Sequence, residues 1–327
     1  SISISISPLY LLIMSTSARL FWALINFLTA LAVMLLSVSL LGRLWWPFDV
    51  LTHFWPHYFV VLFLCGMLYL VRGRYYPSIL CLLLAAYCTL WLWPYYLTPI
   101  QPAAGEPDLT LLVSNVYQHA DTIGNLQTLV TERNPDVILL MEMVPTDQYN
   151  QVQALADTHP YFAHEPRLSG NAVFSRVPVE SLDVHHWDGG RIDIKLTLSI
   201  DNQPLTIFAT HARAAKSDWE ARDRDLQLAH MGRYFAEQDQ YAVIAGDLNV
   251  TPWSSHYRNF IQQTNLVDHR LGRGAMPTWP ILPPPLNLFM IPFDHVLTTP
   301  DIAVHTYELT ADIGSDHRPL WVSLSIR

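Results

Sequence analysis

The chain has 327 residues, of which 51% are hydrophobic, 12% aromatic and only 14% charged. An ordinary soluble domain carries roughly 25% charged residues, so this composition excludes disorder, a collagen-like repeat and a simple coiled coil. A length prior of about 150 residues per domain suggests two units.

The charges show where the units divide. Before position 101 the formally charged side chains are Arg19, Arg43, Asp49, Arg72 and Arg74, whereas the remainder holds 15 basic and 27 acidic residues. The first part suits lipid and the second suits water. Cys65, Cys81 and Cys88 all fall in the apolar part, so the polar part has neither a disulfide framework nor a cysteine-based zinc site.

Residues 1–19 read as an N-terminal extension that opens on a low-complexity Ser-Ile alternation, with Met14 just ahead of the first apolar run. Leu20 to Leu41 is 22 residues without an ionisable group, long enough to cross about 30 Å of hydrocarbon as a helix. Trp55 to Val71 and Pro77 to Leu97 are two further apolar runs, the last ending in Trp91, Trp93, Tyr95 and Tyr96, aromatics that suit a membrane–water interface. Residues 20–97 are therefore expected to be a three-helix anchor in a lipid bilayer. Arg19, Arg72 and Arg74 on one side against Arg43 on the other place the N-terminus inside and the polar part outside.

Residues 98–107 are Pro-rich and read as a linker, and 108–327 as one catalytic domain. In chain order, strands are expected at Leu109–Val116, Val137–Glu142, Asn171–Ser175, Ile192–Ile200, Leu205–Thr210, Tyr241–Ala245, around Asp294–Leu297 and at Leu320–Ile326. Helices are expected at Thr122–Arg133 and Asp218–Glu237, and the turn at Asp201-Asn202 reads as a hairpin. Hairpins mixed with strand–helix alternation favour an α/β sandwich over a purely parallel doubly wound sheet.

Polar residues recur at the ends of the apolar runs. Asn115 ends LLVSN, Glu142 ends VILLME, His211 ends TIFATH, and Asp247 and Asn249 end YAVIAGDLN. Asp294 opens FDHVL, and Asp316-His317 opens DHRPLWV. Any one of them has an ordinary explanation as a turn residue or a structural histidine. Together they could converge on one rim of a rigid sheet. The hard oxygen donors Glu142, Asp316 and Asn115 suit Mg²⁺ or Mn²⁺. Imidazoles and carboxylates beside such a cation are what attack of water on a phosphate ester requires.

At these residues the chain resembles the endonuclease/exonuclease/phosphatase superfamily, whose members include DNase I, apurinic endonucleases and neutral sphingomyelinases. The resemblance spans about residues 108–327. It rests on GDLN at Gly246 to Asn249 and SDHRP at Ser315 to Pro319, supported by the Asn115 strand, Glu142, GNAVFSR, Thr210-His211 and FDHVL. It implies a four-layer, DNase I-like α/β sandwich, and the apolar front end is similar to a membrane-anchored bacterial branch, implying an inner (cell) membrane location with the domain on the periplasmic side. Glu142 would be the main metal ligand, with Asn115 and Asp316 completing the site. Asp247 would orient or deprotonate water, and Asn249 would hold a phosphate oxygen or that water. His317, held by Asp294, would contact the phosphate and move a proton, and His211 would stabilise phosphoryl charge or protonate the leaving group. Tyr117 stands where apurinic endonucleases carry an aspartate, which argues against that repair branch.

The resemblance implies a phosphodiester substrate, whether lipid-linked, small-molecule or nucleic acid. The domain's net −12 lacks the basic excess usual for nucleic-acid binding. Arg213, Arg222, Arg224 and Arg233 could form a local basic patch or a solvated helix face, and His185-His186 reads as a surface pair. Pro277 to Phe293 carries no charge and leads into Asp294, so it is either a packed structural loop or an apolar wall beside the site. A catalytically silent membrane-bound binding protein of the same fold is the rival reading. A transporter is disfavoured because the spans hold almost no polar residues. The sequence names no protein partner.

Overall fold

The computed structural model describes residues 8–101, 103–117, 122–143, 150–166, 170–187, 190–237 and 240–326, with side chains of the first helix from Thr16 onward. The Ser-Ile alternation at 1–7 lies outside them. The apolar part forms α1 (Pro8–Ser39), α2 (Trp46–Val50), a 3-10 turn (Leu51–Phe54), α3 (Trp55–Val71) and α4 (Tyr75–Leu97). Three stretches, Thr16–Ser39, Trp46–Val71 and Tyr75–Leu97, are long and apolar enough to cross a membrane. Small residues set the spacing of α3 and α4: a Cβ on Gly66 would lie 2.9 Å from Leu82 Cδ2, and Cys65, Cys81, Ala85 and Cys88 are buried there. Leu24, Phe27, Leu64, Leu83 and Leu90 face outward.

The polar part is a sandwich of two six-stranded mixed sheets. Its strands are β1 (Leu109–Asn115), β2 (Val137–Met141), β3 (Tyr161–Glu165), β4 (Asn171–Ser175), β5 (Val179–His186), β6 (Ile192–Ile200), β7 (Gln203–His211), β8 (Tyr241–Asp247), β9 (Val267–Asp268), β10 (Asp294–Thr298), β11 (Ile302–Leu309) and β12 (Leu320–Ile326). One sheet runs β11-β12-β1-β2-β4-β3 and the other β5-β6-β7-β8-β10-β9. Successive side chains of a strand point to opposite faces, so each central strand feeds two cores. Leu111, Val113, Val137, Leu139, Val243 and Ala245 point between the sheets. Leu112, Ile138 and Leu140 pack on α5 (Thr122–Arg133). Ala242 and Ile244 pack with α6 (Asp218–Ala236) and α7 (Ser255–Gln263). Helix, sheet, sheet, helix gives the four layers expected from the resemblance.

Local chemistry fixes the elements that carry the site. Asp201 and Asn202, at φ 50° and 65°, make the two-residue turn joining β6 to β7, with Ile200 paired to Gln203. Ser217 caps α6: its Oγ accepts from the Glu220 amide at 3.4 Å and donates to the Glu220 carboxylate at 2.7 Å.

The apolar helices and the polar part touch directly. The last carbonyls of α4 are capped by the polar part, Gly272 N donating to Pro94 O at 3.0 Å and Gly274 N to Tyr95 O at 2.6 Å. Trp253 is buried among Trp55, Trp91 and Tyr95. Asp49, fully buried between α1 and α3, pairs with the equally buried Arg224 of α6 at 2.9 Å and accepts from Ser254 Oγ at 2.7 Å.

Candidate active site

Strand register brings the candidate residues together. In the parallel β7–β8 pair His211 lies level with Asp247, and in the antiparallel β8–β10 pair Asp294 lies level with Asp247. In the facing sheet Asn115 is level with Met141, so Glu142 emerges one residue beyond the end of β2. Ser315 donates to the Asn115 carbonyl at 2.8 Å and accepts from the His317 amide at 3.1 Å, which seats Asp316-His317 against the same rim. All eight candidate residues thus stand at one end of the sandwich.

The backbone is specialised here. Glu142 and Asn249 hold φ of 61° and 50°, a left-handed conformation that non-glycine residues rarely occupy and that clusters at functional sites. Gly246, at φ 142°, passes so close to β7 that a Cβ would lie 1.9 Å from the Thr210 carbonyl oxygen. No other residue can let β8 run this near to β7 and still deliver Asp247.

Two overlapping donor groups result, Glu142–His211–Asp247 and Asp247–Asp294–His317, the ligand atoms of each lying within 4.8 Å of one another. His211 Nε2 is 3.5 Å from Glu142 Oε1, and His317 Nε2 is 3.7 Å from Asp247 Oδ2. Asn115 Nδ2 bridges Glu142 Oε1 at 3.0 Å and Asp247 Oδ2 at 3.2 Å. Turning that amide about its last torsion would present Oδ1 to the same space. Asp247 also accepts from the Asn249 amide at 2.7 Å, while Asn249 Nδ2 donates to Ala212 O at 2.9 Å. Asp316 presents Oδ2 to Trp279 Nε1 at 2.9 Å, and its buried Oδ1 has no hydrogen-bond partner. Carboxylate oxygens, an amide, two imidazoles and an unpartnered buried Oδ1 form a donor set suited to a hard divalent cation.

The electrostatics separate the groups. Burial alone would lower the His317 pKa, but the Asp294 carboxylate 2.8 Å from Nδ1, with Asp247 and Asp316 adding to it, raises it to about 9. Asp294 is itself held below its usual range: burial opposes this, and the His317 charge outweighs burial. Asp247 is pushed up, first by burial and then by Asp294 and Glu142, against the pull of His317. One carboxylate that binds a proton readily and one imidazolium that keeps its proton stand side by side, the arrangement that acid–base chemistry uses.

The cluster floors a cleft of about 420 Å³ whose lining also includes Tyr117, Arg191, Arg213, Lys216 and Trp279. Sequence reading did not single out Arg191 or Trp279. Arg191 sits beside a turn with no motif around it and reaches the site by donating to the His211 carbonyl. Trp279 lay inside the flagged uncharged loop without its own signal. One expectation is corrected and one refined. Arg224 is fully buried against Asp49, so the proposed basic patch does not include it. His186 is exposed, while His185 is half-buried, its ring packing on Trp187, Phe208 and Tyr234 at 4.3, 5.4 and 5.5 Å.

Comparison with solved structures supports the fold. TDP2 of D. rerio in complex with a single-strand DNA product aligns with a TM-score of 0.56 at 18% identity, over 66% of this chain and 98% of that one. An endonuclease/exonuclease/phosphatase from Bacteroides vulgatus aligns at 0.55 and 16% identity over 67% and 99% of the two chains. A protein of that family from Leptotrichia buccalis aligns at 0.52 and 15% over 67% and 100%. No curated protein sequence matches the chain. The family model described as Endonuclease/Exonuclease/phosphatase family matches residues 112–317, from β1 through His317, and with the fold this shows that the chain belongs to that family.

Proposed function

We propose that the chain is a membrane-anchored phosphoesterase that hydrolyses a phosphodiester by direct attack of water, using Mg²⁺ or Mn²⁺. The observation that carries this reading is the pair of donor groups sharing Asp247 at the floor of the cleft. Glu142, Asp316 and Asn115 would hold the cation, which when bound polarises a phosphoryl oxygen and neutralises the leaving alkoxide. Asp247, raised toward neutrality by burial, orients the attacking water and takes its proton at a carboxylate oxygen. His317, kept protonated by Asp294, directs Nε2–H at a phosphate oxygen, and His211 delivers a proton on the leaving-group side. Asn249, fixed by the Ala212 carbonyl, holds the water or a phosphate oxygen in place. Arg191, Arg213 and Lys216 give the mouth of the acidic domain a positive lining for a phosphate. No Ser or Cys lies within the donor groups, so a covalent intermediate is not part of the reading.

The three spans would place this domain at a cell membrane, multi-pass, on the periplasmic or extracellular side, in line with the arginine distribution. The test is turnover of bis(4-nitrophenyl) phosphate by the full chain in detergent with Mg²⁺ or Mn²⁺. Asp247→Ala and His317→Ala are each expected to lower kcat by about 10²–10⁴-fold. Full metal-dependent activity in both variants contradicts the reading. Metal binding without turnover of lipid, nucleic-acid or small diesters would instead favour a silent binding protein.

A further inference from the structure

The uncharged loop between Trp279 and Phe293 joins the site to the anchor. Its base is pinned to the sheet: Thr278 Oγ1 accepts from the Phe293 and Asp294 amides, both at 3.2 Å, and Thr278 N and Trp279 N both donate to Ile291 O at 3.0 Å. At that base Trp279 bonds Asp316 and lines the cleft, stacks on Phe293 at 5.2 Å, and Phe293 meets His53 edge-on at 5.1 Å. The tip reaches the first turn of α3. His57 Nε2 lies 2.7 Å from the Leu288 carbonyl, and its ring stacks on Phe289 at 5.4 Å and 7°.

The height of that contact relative to a bilayer can be bounded. The stretch long enough to cross a membrane here is Trp46–Val71; at 1.5 Å per residue the roughly 30 Å hydrocarbon core takes about 20 residues, so counted back from Val71 the apolar–polar boundary falls near Thr52, within about two turns of His57. On the polar side, Asp49 is already paired with Arg224 of the sandwich. The loop tip therefore meets the anchor at the boundary itself. There it exposes Leu286, Leu288 and Phe289 at 50, 72 and 52%. Exposed Trp45, Trp93 and Tyr96 stand at the same ends of the helices, where aromatics favour the interface. Apolar side chains held this open, in a loop without a charge and continuous with the membrane-spanning helices, are matched by lipid and not by water.

We infer that the tip of this loop, Leu286 to Phe289, is seated in the bilayer interface, and that the cleft beside it takes a phosphodiester head group presented by a membrane lipid. The inference rests on the phosphodiesterase reading and names its substrate class. The acyl chains remain in the bilayer along the loop, and the diester reaches Arg213 and Lys216 at the mouth. One water is consumed: its oxygen bonds to phosphorus, one P–O ester bond breaks, and the departing oxygen takes a proton, giving a phosphomonoester and an alcohol.

Two measurements on the full chain in phosphatidylethanolamine–phosphatidylglycerol vesicles test this. With Phe289 replaced by p-benzoylphenylalanine, irradiation is expected to give a lipid adduct detected by mass spectrometry. Crosslinking to a second copy, or no lipid adduct, overturns the seating of the loop. In the activity arm, the double substitution Leu288→Glu and Phe289→Glu is expected to reduce head-group hydrolysis in the vesicles at least about tenfold, while turnover of bis(4-nitrophenyl) phosphate stays unchanged. Turnover of the soluble diester with no vesicle-lipid hydrolysis overturns the substrate class alone, whether or not DNA is cut. Absence of turnover on the soluble diester contradicts the phosphodiesterase reading itself.

Discussion

His317 and Asp294 show how one hydrogen bond sets the chemistry of a site. The 2.8 Å contact fixes the imidazole so that Nε2 faces Asp247 and the cleft. Asp294→Asn keeps the shape and removes the charge, so the imidazole loses what holds it protonated up to about 9. The alkaline limb of the pH–rate profile is then expected to move to lower pH, with activity about 10–100-fold down. An unchanged limb in a kcat/KM profile would mean that His317 does not act in its protonated form.

The neighbouring His295 makes a different prediction. Burial first, and then the Arg270 guanidinium that donates to Nδ1, lower its pKa to about 3, while Nε2 donates to the Val250 carbonyl at 2.8 Å. In the unfolded chain the ring titrates near 6.5, so the unfolded state binds the extra proton. Stability from this residue is complete above about pH 6.5 and is lost as pH falls toward 3, by at most roughly 1.4 kcal/mol per unit. Asp193, raised to about 6 chiefly by burial, acts in the opposite sense below that value. The readout is therefore the difference in thermal unfolding between the parent and His295→Gln, expected to have the flatter acid limb. Equal slopes would contradict the assignment.

At the scale of elements, the anchor and the sandwich share a buried ion pair. Arg224 reaches Asp49 with one nitrogen and the Asn249 carbonyl with another at 3.2 Å, so a residue of α2 helps hold the GDLN turn. Asp49→Ala leaves a buried guanidinium short of a partner, with Asp225 as partial compensation at 2.8 Å. The expected loss is on the order of 3 kcal/mol of stability, read as a lower midpoint of unfolding in detergent. A midpoint equal to the parent's would show that the contact is not maintained in solution.

What sequence could show also divides by element. The eight strands expected from the chain, β1, β2, β4, β6, β7, β8, β10 and β12, are the interior strands of both sheets. They bury both faces and write themselves as apolar runs. The four that were not expected, β3, β5, β9 and β11, are the four sheet edges. An edge strand carries polar side chains and little continuous apolar pattern: β5 reads VESLDVHH, and β9 is two residues long. The candidate site was legible because its residues lie at or just beyond the ends of interior strands. Arg191, Trp279 and Asp49 were not, because they arrive through tertiary packing that no local pattern encodes.

For the molecule as a whole, one end of a sandwich is held against one end of a bundle of apolar helices, and the loop from Trp279 to Phe293 links the two. Residues 101–327 taken alone would lose Asp49, the α4 carbonyls that accept from Gly272 and Gly274, and the rings around Trp253. The intact chain is accordingly the object for activity measurements. The most direct of these removes and restores the cation. The full chain is treated with EDTA, assayed on bis(4-nitrophenyl) phosphate, then resupplied with Mg²⁺ or Mn²⁺, beside Glu142→Gln carried through the same steps. Activity should vanish with chelation, return on adding either ion, and stay at least about tenfold lower in Glu142→Gln at matched metal. Turnover that persists through chelation and is untouched by Glu142→Gln would contradict a metal-dependent phosphodiesterase centred on these residues.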